Sequence, residues 1–283
     1  MPTLNTEALI SAFVNPIYED VMAVLREQNI MTKLVRNFND RTGLAVRYNS
    51  RYTSSAFGTI AETDDLTSSE FTPGTIAAIT PIEIGKQYFL TDSRIESDPF
   101  SVRSDAARDL GNGAAEAIDK ALIGNFSSFT GGTVGTAGSE ITWGHVMAAE
   151  SQLKTQKAPY PYMLVLNPSQ WQPLAKAASV ASAQATNAAP SLLEAVNSMF
   201  WQKTVGGISI FTSANLATSA TVHAGLFSRD ALAFDLRRAP RFAPERDESR
   251  RGIELNLTAV YGEGLWVPEF GIDMVFTGTL VTS

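Results

Sequence analysis

"VRSDAARDLGNGAAEAIDKALIG", residues 102–124, is the stretch on which the fold turns. Ala107, Leu110, Ala114, Ile118, Ala121 and Leu122 recur at helical spacing and form one apolar stripe. Just upstream, Asp98-Pro99 offers an N-cap residue followed by proline at the first helical position, and Gly124 suits a C-terminal cap. The spacing predicts a continuous helix over 98–123, roughly 39 Å long at 1.5 Å per residue, over twice the usual length. Gly111 and Gly113 sit in its middle, where each costs about 1 kcal/mol relative to alanine. Glycine there points to another backbone passing close by, or to a slight bend.

Working outward, the preceding segments read as two extended arms around a polar tip. "LAVRYNSRY" (44–52) alternates like a strand, and "TIAAITPIEIGKQYFLTDSRIES" (75–97) is β-rich. Between them, "TSSAFGTIAETDDLTSSEFTPG" (53–74) is small, polar and without period. Residues 54–85 hold Glu62, Asp64, Asp65, Glu70 and Glu83 and no Lys or Arg, a charge of -5 in one arm. Taken alone, that composition describes a solvated loop. Nearer the start, residues 5–28 read as helix, restarted at Asn15-Pro16, with Ile17, Val21, Val24 and Leu25 on one face.

Downstream, the Gly/Thr/Ser-rich segment 126–141 is a connector, and the region beyond it reads as α/β. A helix runs from Thr142 to near Lys157. The strand "YMLVLN" (162–167) then feeds a helix capped by Asn167-Pro168. An Ala/Ser-rich stretch (175–190) precedes a helical "SLLEAVNSMF" (191–200), and strands follow at 206–213, 221–227 and 230–236. Two β segments around Tyr261-Gly262-Glu263-Gly264 close the chain.

The charge distribution holds one anomaly. The chain carries a net -7, yet "RRAPRFAPERDESRRG" (237–252) contains six of its 22 Lys and Arg residues. Arg237, Arg238, Arg241, Arg246, Arg250 and Arg251 are interleaved with Glu245, Asp247 and Glu248, leaving +3 over 237–251. Nucleic-acid arms are usually basic and poor in acid, whereas mixed signs suit ion pairs across an interface. A solvated surface loop fits these residues equally well.

Catalytic and metal chemistry find little support. There is no cysteine, hence no disulfide or thiolate site. Only two histidines occur. His145 has no partner at i+4, His223 lies in an apolar strand, and there is no G-x-S-x-G elbow. "GGTVGTAG" lacks the Lys-Ser/Thr of a phosphate loop, and "ETDDLTSSE" lacks the calcium-loop spacing. No catalytic residue, cofactor or metal is therefore expected. Residues 1–5 show no basic start leading into an apolar run, and no apolar run approaches the ~20 residues of a membrane span, so neither secretion nor membrane insertion is expected. At 44% hydrophobic and only 18% charged residues, the chain has mass for a core and a weakly charged surface of the kind that self-association buries.

In this order the elements resemble the major capsid proteins of tailed bacteriophages, the Hong Kong 97 fold, over nearly the whole chain. "NDRTGLAVRYNS" resembles the strand entering the extended loop (E-loop) of that family, and "IEIGKQYFLTDSRIESDPF" its return. Residues 102–124, with "IDKAL" near their end, resemble the spine helix. "YMLVLNPSQWQPLAKAA", "GGISIFTSANL" and "HAGLFSRDALAFDL" resemble the axial (A) domain, and "AVYGEGLWVPEFG" the closing peripheral (P) segment.

The resemblance implies an α+β fold with an N-terminal arm over 1–46, an E-loop hairpin over 47–92, a P-domain over 93–141 and 229–283, and an A-domain over 142–228. It implies a structural protein rather than an enzyme, assembling as pentamers and hexamers into an icosahedral shell. The shell would enclose double-stranded DNA touched without sequence readout, in virions assembled in the host cytoplasm. Portal and possibly decoration proteins are implied partners. So is a separate scaffolding protein, since the sequence has no length to spare for a cleaved scaffolding domain, unless the sequence is that of the mature product. Lys86 lies at the hairpin's base, so covalent cross-linking is not expected. On this reading Glu62, Asp64, Asp65 and Glu70 pair with arginines of 237–251 on an adjacent subunit, and Gly111 and Gly113 admit a neighbour's backbone. The alternatives are an encapsulin-type nanocompartment shell and, from another class, a nucleic-acid-binding module using the arginine stretch.

Overall fold

The computed structural model describes residues 30–52, 59–60, 62, 65, 73–97, 102–184, 204–205 and 207–279. The helices predicted for 5–28 and 191–200 and the Asp98-Pro99 cap lie outside these residues. The described chain enters through a one-turn helix, α1 (Met31–Leu34), and a short strand, β1 (Arg36–Phe38). β2 (Arg47–Tyr52) and β3 (Pro73–Ile79) form the arm, and β4 (Pro81–Thr91) continues from it. A short helix, α2 (Asp92–Ser97), then leads to α3 (Val102–Gly124).

Helix α3 has 23 residues, about 35 Å of axis, and its length has a packing cause. Ala107 and Leu110 pack with Leu90, Phe242, Leu255 and Leu257. Two turns on, Ile118, Leu122 and Ile123 enter a second core with Met31, Val35, Phe126, Phe227 and Tyr261. One helix thus serves two cores, and each fully buried large side chain contributes about 1.5–3 kcal/mol. Phe126, Phe129 and Phe227 stack with ring centroids 5.5–6.0 Å apart. Asp119, 1% exposed, accepts from the Met31 N–H at 3.2 Å and the Ile30 N–H at 3.4 Å, and so ties the chain's entry to the helix. Asn215 donates to the same carboxylate at 3.4 Å.

The remaining elements are β5 (Thr133–Gly135), α4 (Trp143–Thr155), β6 (Tyr162–Leu166), α5 (Pro168–Gln184), β7 (Thr204–Val205), β8 (Ile208–Thr212), β9 (Val222–Ser228), β10 (Leu232–Asp247), β11 (Gly252–Leu265) and β12 (Gly271–Phe276). Caps set the two helices as the sequence indicates. Thr142 accepts from the His145 N–H while His145 Nδ1 accepts from the Thr142 N–H. Asn167 accepts from the Ser169 N–H at 2.9 Å, directly after the fully buried strand β6. His145 is thus a helix cap, its ring tilted against Phe276 at 4.9 Å between centroids.

Two sheets and the arm organise the molecule. A four-stranded sheet has the order β1-β10-β11-β4, and a six-stranded sheet the order β5-β12-β9-β6-β8-β7. The sheets join segments from different expected domains. β5 and β12, within the stretches 93–141 and 229–283, hydrogen-bond into the six-stranded sheet with β6, β8 and β9 from 142–228, and β4, within 47–92, pairs with β11. Within the β-rich segment 75–97, the strand ends at Thr91, beside the expected hairpin limit at 92, and the chain turns into α2. The break expected at Tyr261–Gly264 is absent, because β11 runs through it; Gly262 lies where an added Cβ would come within 2.7 Å of Ile79.

Candidate functional site: the arm and the arginine ribbon

The arginine stretch is not a loop. Through Asp247 it forms the second half of β10, paired with β11 from Arg241↔Thr258 to Asp247↔Gly252, and residues 248–251 make the turn between the two strands. Asp247 closes the turn, its Oδ1 accepting from the Ser249 and Arg250 N–H groups at 3.0 and 3.1 Å. Two prolines, Pro240 and Pro244, lie within the strand. β1 covers the outer edge of β10 only at residues 233–235, so beyond that point an N–H directed outward has no partner strand among the described residues. Proline is tolerated on such an edge and discourages unwanted pairing. The register shifts between Leu236 and Arg241 take up the irregularity.

Strand alternation separates the arginines by environment. Rows through Phe242, Leu257 and Lys86, and through Pro244, Leu255 and Tyr88, face α3. The opposite face carries Arg238, Arg241 and Glu245 beside Glu83, Thr258 and Glu254. Arg238 pairs with Glu83. Arg246 holds both oxygens of Asp92 at 3.1 and 2.9 Å and Glu248 at 2.7 Å. Its hydrogen bonds to Asp92, then those to Glu248, raise its pKa. Arg250 lies 4.8 Å over the Phe89 ring and 3.5 Å from Glu254. Arg241 and Arg251 are exposed and form no ion pair among the described residues. Arg251 takes a left-handed φ of 47° in the turn. A stretch that is basic in sequence is therefore largely neutralised within its own fold.

Arg237 corrects the expectation most sharply. Its side chain is 1% exposed, and it meets Asp235, itself fully buried, at 2.8 Å. Arg47, at the start of β2, reaches the same Asp235 oxygen at 2.7 Å and also pairs with Asp40. Arg237 further donates to the Ala45 carbonyl at 2.9 Å. Burial pulls the Arg47 pKa down, but the hydrogen bonds to Asp235 and Asp40 outweigh it and the net shift is upward. Arg237 is thus no surface group but part of an Arg47–Asp235–Arg237 cluster at the root of the arm. Sequence reasoning missed Arg47 and Asp235. The available signal was an acid inside an apolar strand, "DALAFDL", directly before two arginines.

The arm itself pairs β2 with β3 from Arg47↔Ile79 outward. Glu62 and Asp65 at its tip are exposed, while Asp64 and Glu70 lie outside the described residues. At the other end of the arm, Lys86 pairs with Asp109 of α3 at 3.4 Å and Tyr88 donates to the same carboxylate. Beside them, an apolar cleft of about 290 Å³ opens between α3 and the sheet, lined by Ile84, Gly85, Gly113, Ala114 and Ala117 among others. A Cβ at Gly113 would meet nothing within 4 Å. Gly111 is buried in its own chain, so the two glycines sit in different surroundings. His223 holds both oxygens of Asp273 at 2.9 Å. Among the described residues no cluster of three or more His, Asp or Glu could hold a metal, and no helix is long and apolar enough to cross a membrane.

Against known proteins, residues 75–272 match the family described as phage capsid protein. No curated protein matches the sequence. Among solved structures, the chain is similar to one of Mycobacterium phage Che8, with a TM-score of 0.70 and 16% identity, over 87% of this chain and 91% of that one. It is similar to the capsid of cyanophage P-SCSP1u, with a TM-score of 0.68 and 14% identity, over 89% and 88%. It is also similar to a virus-like particle from Pyrococcus furiosus, with a TM-score of 0.61 and 10% identity, over 93% and 99%.

Proposed function

The chain belongs to the phage capsid protein family and has the Hong Kong 97-type fold, and from that premise we propose that it is the coat subunit of a tailed-phage head. In this role copies of the chain associate as pentamers and hexamers into an icosahedral shell around double-stranded DNA, and catalysis is no part of the task. A separate scaffold, a portal and decoration proteins act as partners, and assembly takes place in the host cytoplasm. The family match over residues 75–272 carries the reading. It favours a genome-filled head over an encapsulin-type compartment. The neutralised ribbon weighs against a nucleic-acid-binding module, whose phosphate contacts need free cations.

Contacts between subunits follow from what the fold leaves unpaired. Arg237, Arg238, Arg246 and Arg250 are held by acids of their own chain. The acidic tip, Glu62, Asp64, Asp65 and Glu70, therefore pairs with Arg241 and Arg251 of an adjacent subunit. Each exposed pair contributes only about 0–1 kcal/mol, but a closed shell repeats it at every copy, and modest contacts let misplaced subunits leave. A charge swap tests the pairing. Reversing the four tip acids to lysine should abolish shells or make them salt-sensitive, and adding Arg241→Glu and Arg251→Glu should restore them. Normal shells from the tip mutant alone would disprove the pairing.

A further inference from the structure

The root of the arm holds a polar cluster that stability alone does not explain. Asp235 is fully buried and takes two guanidinium groups on one oxygen, from Arg47 at 2.7 Å and Arg237 at 2.8 Å. Its other oxygen, together with Nε and Nη1 of Arg237, is buried without a hydrogen-bond partner among the described residues. Burying such a group costs more than filling the same space with apolar side chains, and removing one partner alone strands a charge. A network that leaves three polar atoms unmet is not optimised for folding free energy.

What the cluster does have is direction. Arg47 begins β2, the outgoing strand of the arm, and its guanidinium is fixed three ways: Nε on Asp235, Nη2 on Asp40, and its plane 4.1 Å above the Phe38 ring. Arg237 clips the chain just before the arm by donating to the Ala45 carbonyl. The returning strand is seated differently, by Ile79, which is fully buried against the Gly262 backbone. An apolar seat fixes position but not angle, since burial is non-directional, whereas forked guanidinium bonds fix both. Outside the root, Leu44 and Tyr48 are each 66% exposed, so these two side chains do not restrain the arm by apolar packing.

We infer that Arg47, Asp235 and Arg237 are positioning residues for assembly: they set the angle at which the arm leaves the subunit, and hence where its tip meets a neighbour. The inference rests on the coat-subunit reading. The test compares wild type with a variant carrying Arg47→Met, Asp235→Leu and Arg237→Met, by thermal melting of dissociated subunits and by electron microscopy after assembly. The apolar variant should melt at or above the wild-type temperature yet lose the uniform particle population. Uniform shells of wild-type diameter from that variant would overturn the inference. If the triple variant does not fold, Arg47→Lys decides, since it keeps the charge and loses the fork: folded subunits with irregular particles support the inference, and uniform shells overturn it. Wild-type protein that never forms shells overturns the coat-subunit reading and this inference together, whereas uniform variant shells overturn this inference alone.

Discussion

Glu263 lies on β11 opposite Phe234 and accepts a hydrogen bond from Asn125 Nδ2, next to the core that receives the end of α3. Burial raises its pKa, and the Asn125 bond opposes that only in part. A carboxyl whose folded pKa exceeds its unfolded one binds protons more tightly in the folded state. Its contribution is therefore greatest below the ordinary glutamate range and is lost as pH rises through the raised value. Asp119 and Asp273 are shifted in the same direction, chiefly by burial. Glu263→Gln keeps an acceptor for Asn125 and removes the proton, so stability measured by urea unfolding should become flatter across that window and higher at neutral pH. An unchanged slope would contradict this assignment. Single residues were the least legible scale in the sequence. Six arginines in sixteen positions read as one surface feature, and only burial in the folded chain separates Arg237, which faces inward, from Arg241, which is exposed. The apolar setting of Asp235 hints at its burial, but the partner that satisfies it, Arg47, lies 188 residues away and only the fold brings it there.

At the scale of elements, long periodic segments declared themselves. The stripe from Ala107 to Leu122 is the buried side of α3, because helical periodicity survives whatever the helix packs against. The arginine ribbon did not. Its mixed charges fit a solvated surface loop as well as an interface, yet an edge that pairs on one side only accommodates both its charges and its prolines. The recruitment of β5 and β12 into the six-stranded sheet was likewise invisible, since strand partners are chosen in three dimensions. Gly113 links element to assembly. The open cleft beside it means that Gly113→Ala should stabilise the isolated subunit by about 0.5–1 kcal/mol, the helix-propensity and chain-entropy gain. If a neighbour's backbone enters the cleft in the shell, the same methyl should lower particle yield. A stabilised subunit with unimpaired assembly would show that the cleft stays empty.

For the whole molecule, the order of elements carried more information than any motif. An arm, a long helix and an α/β unit in that sequence already indicated the capsid fold, although no catalytic or binding signature exists to name it. Weak charge over most of the surface, acid in the arm and neutralised arginines along the ribbon suit a protein whose work is to cover itself with copies. The central claim is that this chain closes into a shell, and electron microscopy of the purified protein, alone and co-expressed with the proposed scaffold, tests it most directly. Closed icosahedral particles of uniform diameter are the predicted result. A discrete monomer at high concentration under both conditions would contradict it.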